Sequence, residues 1–313
     1  METFAYLAAA FIGLSLGLIG GGGSIMTVPV LVYLFGISPL LATSYSLFIV
    51  GSTSMVGAFN NYRKGFVNIK TALLFGISSI STVFLTRKFI IPAIPAHIAT
   101  IGRFNISQDM LTMVLFAILM LLAATAMIRS SKKSYNSKQL YNSKQSYSNR
   151  KSNSNRKSNS IGQLLPKSAN FKQADNADSA QILRAVERPV NLPRLLFYGT
   201  GIGLTTGILG AGGGFLLIPT LVLLVGLPMK EAVGTSLLII ALNSLIGFTG
   251  DLGHFTINWF FLIKITSIAI IGIFGGGYLN GKMPADSLKK GFGIFVLVMG
   301  FYIILRELVF KPL

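Results

Sequence analysis

The chain has 313 residues, of which 52% are apolar and only 12% charged, with a mean hydropathy of +0.66. That is about half the charge fraction of an ordinary soluble domain, and it argues against a soluble enzyme or a disordered chain. The net charge of +18 suggests nucleic acid at first sight, but +11 of it falls between Arg129 and Arg194, so no nucleic-acid partner is expected.

The long apolar runs are continuous rather than alternating, which predicts helices spanning a lipid bilayer, not a β-barrel. The first run, Phe4–Phe35, would measure about 48 Å as one straight helix against a hydrocarbon core of about 30 Å. It must break, and Gly20-Gly21-Gly22-Gly23 followed by Pro29 marks the place. Further spans are predicted at Pro39–Phe59, Ile69–Leu85 and Met110–Ile128. Between the last two, Arg87–Gln108 reads as an interfacial loop holding Pro92, Pro95 and Arg103, with Arg87 and Lys88 at the membrane surface.

Residues 129–193 change character, with runs such as YNSKQLYNSKQSYSNRKSNSNRKSNS. Such a low-complexity, basic segment cannot bury a core and is expected to be a disordered linker. Arg129, Lys132, Lys133, Arg184, Arg188 and Arg194 flank the neighbouring spans, so the positive-inside rule places the linker in the cytoplasm. A second broken span follows at Leu195–Val225, then spans at Met229–Thr249, Ile257–Leu279 and Leu288–Val309. The expectation is an all-α polytopic protein of the cell (inner) membrane with about eight transmembrane helices. A first membrane repeat covers 1–128 and a second covers 194–313.

The repeats show in the letters. GLIGGGGSIMTVPVLVYLFG (Gly17–Gly36) falls on GILGAGGGFLLIPTLVLLVG (Gly207–Gly226) at a shift of 190. Gly20/Gly210, Gly22/Gly212, Gly23/Gly213 and Pro29/Pro219 coincide, and Ala42/Ala232, Ser46/Ser236 and Gly57/Gly247 continue the match. Duplicated halves with broken helices at matching places are the sequence signature of a secondary transporter. In hydrocarbon, each unpaired backbone group at a break costs several kcal/mol, so a break survives where it lines a cavity or meets a ligand. The amide groups opening Ser24–Phe35 and Gly214–Val225 would carry partial positive charge suited to an anion. This nominates Gly20, Gly21, Gly22, Gly23 and Ser24 with Gly210, Ala211, Gly212, Gly213 and Gly214.

Hydroxyl and amide groups at Thr43, Ser44, Thr235, Ser236 and Asn243 are added as hydrogen-bond donors, and Lys264 as a cation on the pathway. No acid is expected mid-span, and no buried Arg is expected at the site. Cysteine is absent and there are two His, so neither a metal nor another cofactor is expected. No HExxH, P-loop or Ser-His-Asp spacing points to an enzyme.

GLIGGGGSIMTVPVLV with GISPLLATSYSLFIV, and GILGAGGGFLLIPTLV with GLPMKEAVGTSLLII, resemble the sulfite exporter TauE/SafE family of membrane permeases. The resemblance covers both apolar blocks and leaves out the linker. It implies a duplicated permease whose substrates are small sulfur oxyanions such as sulfite, or organosulfonates. The alternatives are an anion channel of the same architecture and a permease for another small organic anion.

Overall fold

The computed structural model describes residues 2–95, 97–101, 104–125, 128, 192–280 and 285–309. Helix α1 (Glu2–Ile19) leads into a 3₁₀ stretch, Gly20–Met26, and then α2 (Thr27–Tyr33). Helices α3 (Pro39–Arg63) and α4 (Ile69–Leu85) follow. A π turn, Thr86–Ile90, and a short α5 (Ile91–Ala93) extend α4. Strands β1 (His97–Ile101) and β2 (Phe104–Ser107) form an antiparallel hairpin pairing Ile101 with Phe104. Helix α6 spans Gln108–Thr125. After the linker come α7 (Leu192–Leu209), α8 (Gly214–Thr220) with a π turn at Leu221–Val225, α9 (Met229–Asp251), α10 (Trp259–Asn280) and α11 (Ala285–Val309). Residues 129–191, with the expected disorder of the linker, lie outside the described residues.

Among the described residues five helices are long and apolar enough to cross a membrane: Pro39–Arg63, Ile69–Ala93, Gln108–Thr125, Met229–Asp251 and Trp259–Leu279. The protein is a helical, multi-pass membrane protein. Large apolar side chains such as Phe197, Phe260, Ile271 and Phe301 are exposed on its outside, where lipid tails would meet them. The segment read as an interfacial loop, Arg87–Gln108, differs: the third span continues through its π turn to Ala93, and the remainder is the β-hairpin. Prolines at 92 and 95 end the helix instead of excluding it, because Pro92 sits in the first turn of α5, where a missing N–H costs nothing.

Local chemistry sets the helix ends. The Asn68 side chain accepts a hydrogen bond from the Thr71 amide at 3.0 Å and caps α4. Pro39 occupies the start of α3. Lipid tails are as apolar as leucine, so helices in a bilayer associate through close packing more than through hydrophobic burial. Glycines provide it here. A Cβ at Gly13 would run into the Ala269 carbonyl, and one at Gly203 into the Ser79 carbonyl. So α1 lies directly against α10, and α7 against α4.

The central pair is α3 and α9, which cross antiparallel: Gly51 faces Leu245, Gly57 faces Leu237 and Gly247 faces Leu47. Helix α3 therefore begins at the face where α9 ends, called here the first face. The same markers give every other direction. The Tyr45 hydroxyl accepts from the Asn258 amide at 2.8 Å, which puts the start of α10 at the first face. Helix α1 runs parallel to α10, with Gly13 beside Ala269 and Gly17 beside Ile273. The chain then comes back: the Tyr6 and Phe35 rings lie 6.4 Å apart, and Val30 shares an apolar cluster with Ile12 and Leu16. The first broken element is thus a hairpin that enters and leaves at the first face. The second enters and leaves at the opposite face, since α7 runs parallel to α4 and Gly234 near the start of α9 packs on Phe66. The sequence alone leaves open whether each break lies within one crossing or at the tip of a re-entrant hairpin.

Candidate functional site

The tips of the two hairpins meet inside the helix bundle. A Cβ at Gly21 would lie 2.7 Å from the Gly214 Cα, and one at Gly214 would run into the Gly21 backbone. Gly20 faces Val233, where a Cβ would be 2.8 Å from Cγ1, and Gly210 faces Thr43, where it would be 2.5 Å from Cβ. Gly20 and Gly210 both adopt positive φ, as do Gly212 and Gly213, a conformation that costs other residues about 1–2 kcal/mol. Gly212 sits beside Val50, Ile240 and the Ser244 hydroxyl, while Gly213 abuts Thr206. In the first tip, Gly22 lies within the 3₁₀ turn, Gly23 packs on Ser15, and the Ser24 hydroxyl donates to the Gly21 carbonyl at 2.8 Å. Ala211 is buried beside its glycines.

These contacts recur at one offset. Gly20 with Val233 and Gly210 with Thr43 differ by 190 at both members, and so do Gly57 with Ile273 and Gly247 with Val83. Gly13 with Ala269 and Gly203 with Ser79 do the same.

The hydroxyl and amide residues nominated from the sequence do not form one shell. Thr43 and Ser44 stand near the first face, and Thr235 and Ser236 near the opposite one, because α3 and α9 run antiparallel. Thr235 accepts from the Asn68 amide at 2.9 Å, and Ser236 donates to the Val233 carbonyl at 2.9 Å. Asn243 lies between the two ends, fully buried, and donates through Nδ2 to Ser79 Oγ at 2.6 Å. Its Oδ1 and the hydroxyls of Ser54, Ser244 and Thr206 are buried without a hydrogen-bond partner among the described residues. Lys264, nominated as a cation on the pathway, sits on the exposed outside of α10, where Nζ donates to the Tyr6 hydroxyl at 2.7 Å.

The main correction is Arg87. The sequence alone puts it at the membrane surface and leaves the site without an Arg. Arg87 is fully buried, and its Nη1 lies 3.2 Å from Asp251 Oδ2 and 3.0 Å from the Thr43 hydroxyl. Its Nη2 would be 2.7 Å from a Cβ at Gly210, so a cation touches the second glycine break. The π turn that carries Arg87 rotates it inward, and Asp251 ends α9 beside it. The letters Thr-Arg-Lys at an apparent span end give no sign of that turn. Among the described residues no group of three His, Cys, Asp or Glu is placed to hold a metal.

The family profile described as sulfite exporter TauE/SafE matches residues 5–303. The chain belongs to the TauE/SafE family. A probable membrane transporter protein of Xylella fastidiosa is 25% identical over 306 residues, covering 96% of this chain and 94% of that protein. The probable membrane transporter protein YdhB of Bacillus subtilis is 22% identical, covering 94% and 96%. The probable membrane transporter protein MJ0441 of Methanocaldococcus jannaschii is 35% identical over a shorter stretch, 36% of this chain and 44% of that protein. No solved structure matches the chain.

For this TauE/SafE member, the family and the names of its relatives indicate a membrane transporter rather than an enzyme. Buried polar atoms without partners are rare in folded proteins and call for an explanation. A transporter supplies one, because its pathway must offer hydrogen bonds to a solute that comes and goes.

Proposed function

We propose that this TauE/SafE member is a permease for small sulfur-containing oxyanions, such as sulfite or organosulfonates, and that it works outward. The observation that carries the reading is the meeting of two glycine-rich tips, Gly20–Ser24 and Gly210–Gly214, among buried hydroxyls. Glycine lets a solute approach backbone amides directly, Ser244 and Thr206 add hydroxyl donors beside them, and Asn243 offers the second proton of its amide nitrogen, the first being held by Ser79. Thr43 and Ser44 serve one approach to the tips, Thr235 and Ser236 the other.

The recurrent offset of 190 supports an architecture of two homologous units, inverted relative to each other, each built from one broken hairpin and three spanning helices. Inverted units with broken helices are a common frame for alternating access. The backbone contact of Gly21 with Gly214 closes the middle of the molecule, which favours a permease over an open channel. Arg63, Lys64, Lys70 and Lys230 cluster at the end where α3 finishes and α9 begins, the face where α7 also starts. By the positive-inside rule that face and the linker are cytoplasmic, and the first face is external. A cytoplasm-negative potential then drives an anion outward by about 2.3 kcal/mol per charge per 100 mV.

Uptake of labelled sulfite into proteoliposomes tests the reading. Saturable flux with counterflow, competed by small sulfonates, is expected. Flux that never saturates would favour the channel, and no flux of any sulfur oxyanion would overturn the substrate class.

A further inference from the structure

Arg87 presents only part of its guanidinium to the protein. Asp251 and Thr43 both take Nη1, while Nε and Nη2 have no partner among the described residues although the side chain is fully buried. Nε–H and Nη2–H point the same way and form the side-on edge that grips a carboxylate or oxyanion with two parallel hydrogen bonds. Leaving that edge unmatched in a buried site is costly. Arg87 also lines a cavity of about 200 Å³ together with Asp251, His254, Gln108, Leu40 and Ile94, and His254 is exposed.

The arrangement exists in one unit only. At the positions offset by 190 from Thr43, Arg87 and Asp251 stand Val233, Gly277 and Asn61. Gly20 accordingly faces an aliphatic side chain, whereas Gly210 faces the cation.

We propose that the Nε–Nη2 edge of Arg87 is a bidentate subsite for a monoanion carrying two or more oxygens on one centre, a sulfonate or hydrogen sulfite, at the first-face end of the pathway. Asp251 keeps the guanidinium neutralised between visits and competes with the solute, so that the oxyanion is held and then released. The proposal rests on the oxyanion-permease reading. It adds that recognition is by a planar fork at one end rather than by backbone amides alone.

The test compares sulfite uptake by wild type, Arg87→Lys and Asp251→Asn in proteoliposomes, with methanesulfonate and chloride as competitors. Lysine keeps a positive charge for Asp251 but has no fork. The expected result is a KM for sulfite at least about tenfold higher in Arg87→Lys, as for loss of one charged hydrogen bond. Competition by methanesulfonate should weaken by a similar factor, with chloride competition within twofold of wild type. An equal shift for both competitors would show that Arg87 acts as a point charge and overturn the fork. Asp251→Asn, which removes the competitor, should lower the KM several-fold, and a raised or unchanged KM in a monodisperse protein would overturn the competition. If wild type moves sulfite and Arg87→Lys leaves its KM unchanged, the fork alone fails. If wild type moves no oxyanion, the permease reading fails and takes the fork with it.

Discussion

Gly21 and Gly214 stand backbone against backbone, each from the tip of a different hairpin. No side chain fits between them. Gly21→Ala should destabilise the protein by about 1–3 kcal/mol, the usual cost of overpacking, and should abolish sulfite flux. Gly201 provides the contrast, since it is helical, exposed, and has nothing within 4 Å of a would-be Cβ. There, alanine should stabilise by roughly 0.5–1 kcal/mol and leave flux intact. Thermal melts in detergent with parallel uptake assays decide it, and a Gly21→Ala protein with wild-type flux would refute the closed contact.

Asn243 and Ser79 should separate structure from transport. Their hydrogen bond of 2.6 Å joins α9 to α4. Ser79→Ala removes only the acceptor, and should cost about 1–3 kcal/mol of stability for the stranded amide. Asn243→Ala also removes the second amide N–H, the one not held by Ser79, so flux should fall at least tenfold beyond what the stability loss explains. Equal flux in the two variants would make the amide purely structural.

The glycine breaks and the positions of several helices are legible in the letters because glycine runs, proline and apolar length leave strong local marks. The start of α9 at Met229 and the limits of α4 fall where hydropathy puts them. The direction of each hairpin was not legible. It depends on Tyr6 meeting Phe35 and Gly234 meeting Phe66, which are tertiary contacts with no local sign. Arg87 was misplaced for a related reason. A cation next to Lys88 at a span end looks like an interfacial anchor, and only the inward turn and the distant partner Asp251 show otherwise. Asn243 was picked out because an amide in mid-span must find a partner, and Ser79 is that partner.

Lys264 should prove dispensable. Its ammonium lies 4.3 Å from the Tyr6 ring centre on the exposed side of α10, a contact of about 0.5–1 kcal/mol at such a site. Lys264→Met should keep sulfite KM and maximal rate within twofold. A loss of an order of magnitude would restore it to the pathway.

The linker is expected to be cytoplasmic and unnecessary for flux. Removing residues 131–180 should leave uptake within twofold of the full chain, and protease outside intact cells should not cut at Arg150. External cleavage there would reverse the orientation, and lost flux in a correctly inserted deletion variant would give the linker a role in transport.

Selectivity should follow the charge of the solute. The buried cation at the second tip is matched by Asp251 at 3.2 Å, so the pair offers a solute directional hydrogen bonds but little net charge. Dehydrating a dianion costs far more than dehydrating a monoanion, because solvation energy rises with the square of the charge. Sulfite has a protonated, singly charged form populated near neutral pH, and sulfate has none. Sulfite flux at fixed total concentration should therefore rise as pH falls from about 8 to about 6, tracking the singly charged fraction, with sulfate moved poorly throughout. Methanesulfonate, singly charged across that whole range, should compete equally well at both ends once competition is expressed against the singly charged sulfite. Initial rates in proteoliposomes without an imposed proton gradient give the answer. If sulfite flux is flat or rises toward high pH, or if sulfate matches it, the site handles dianions, and Asp251 does not hold Arg87 neutral during transport.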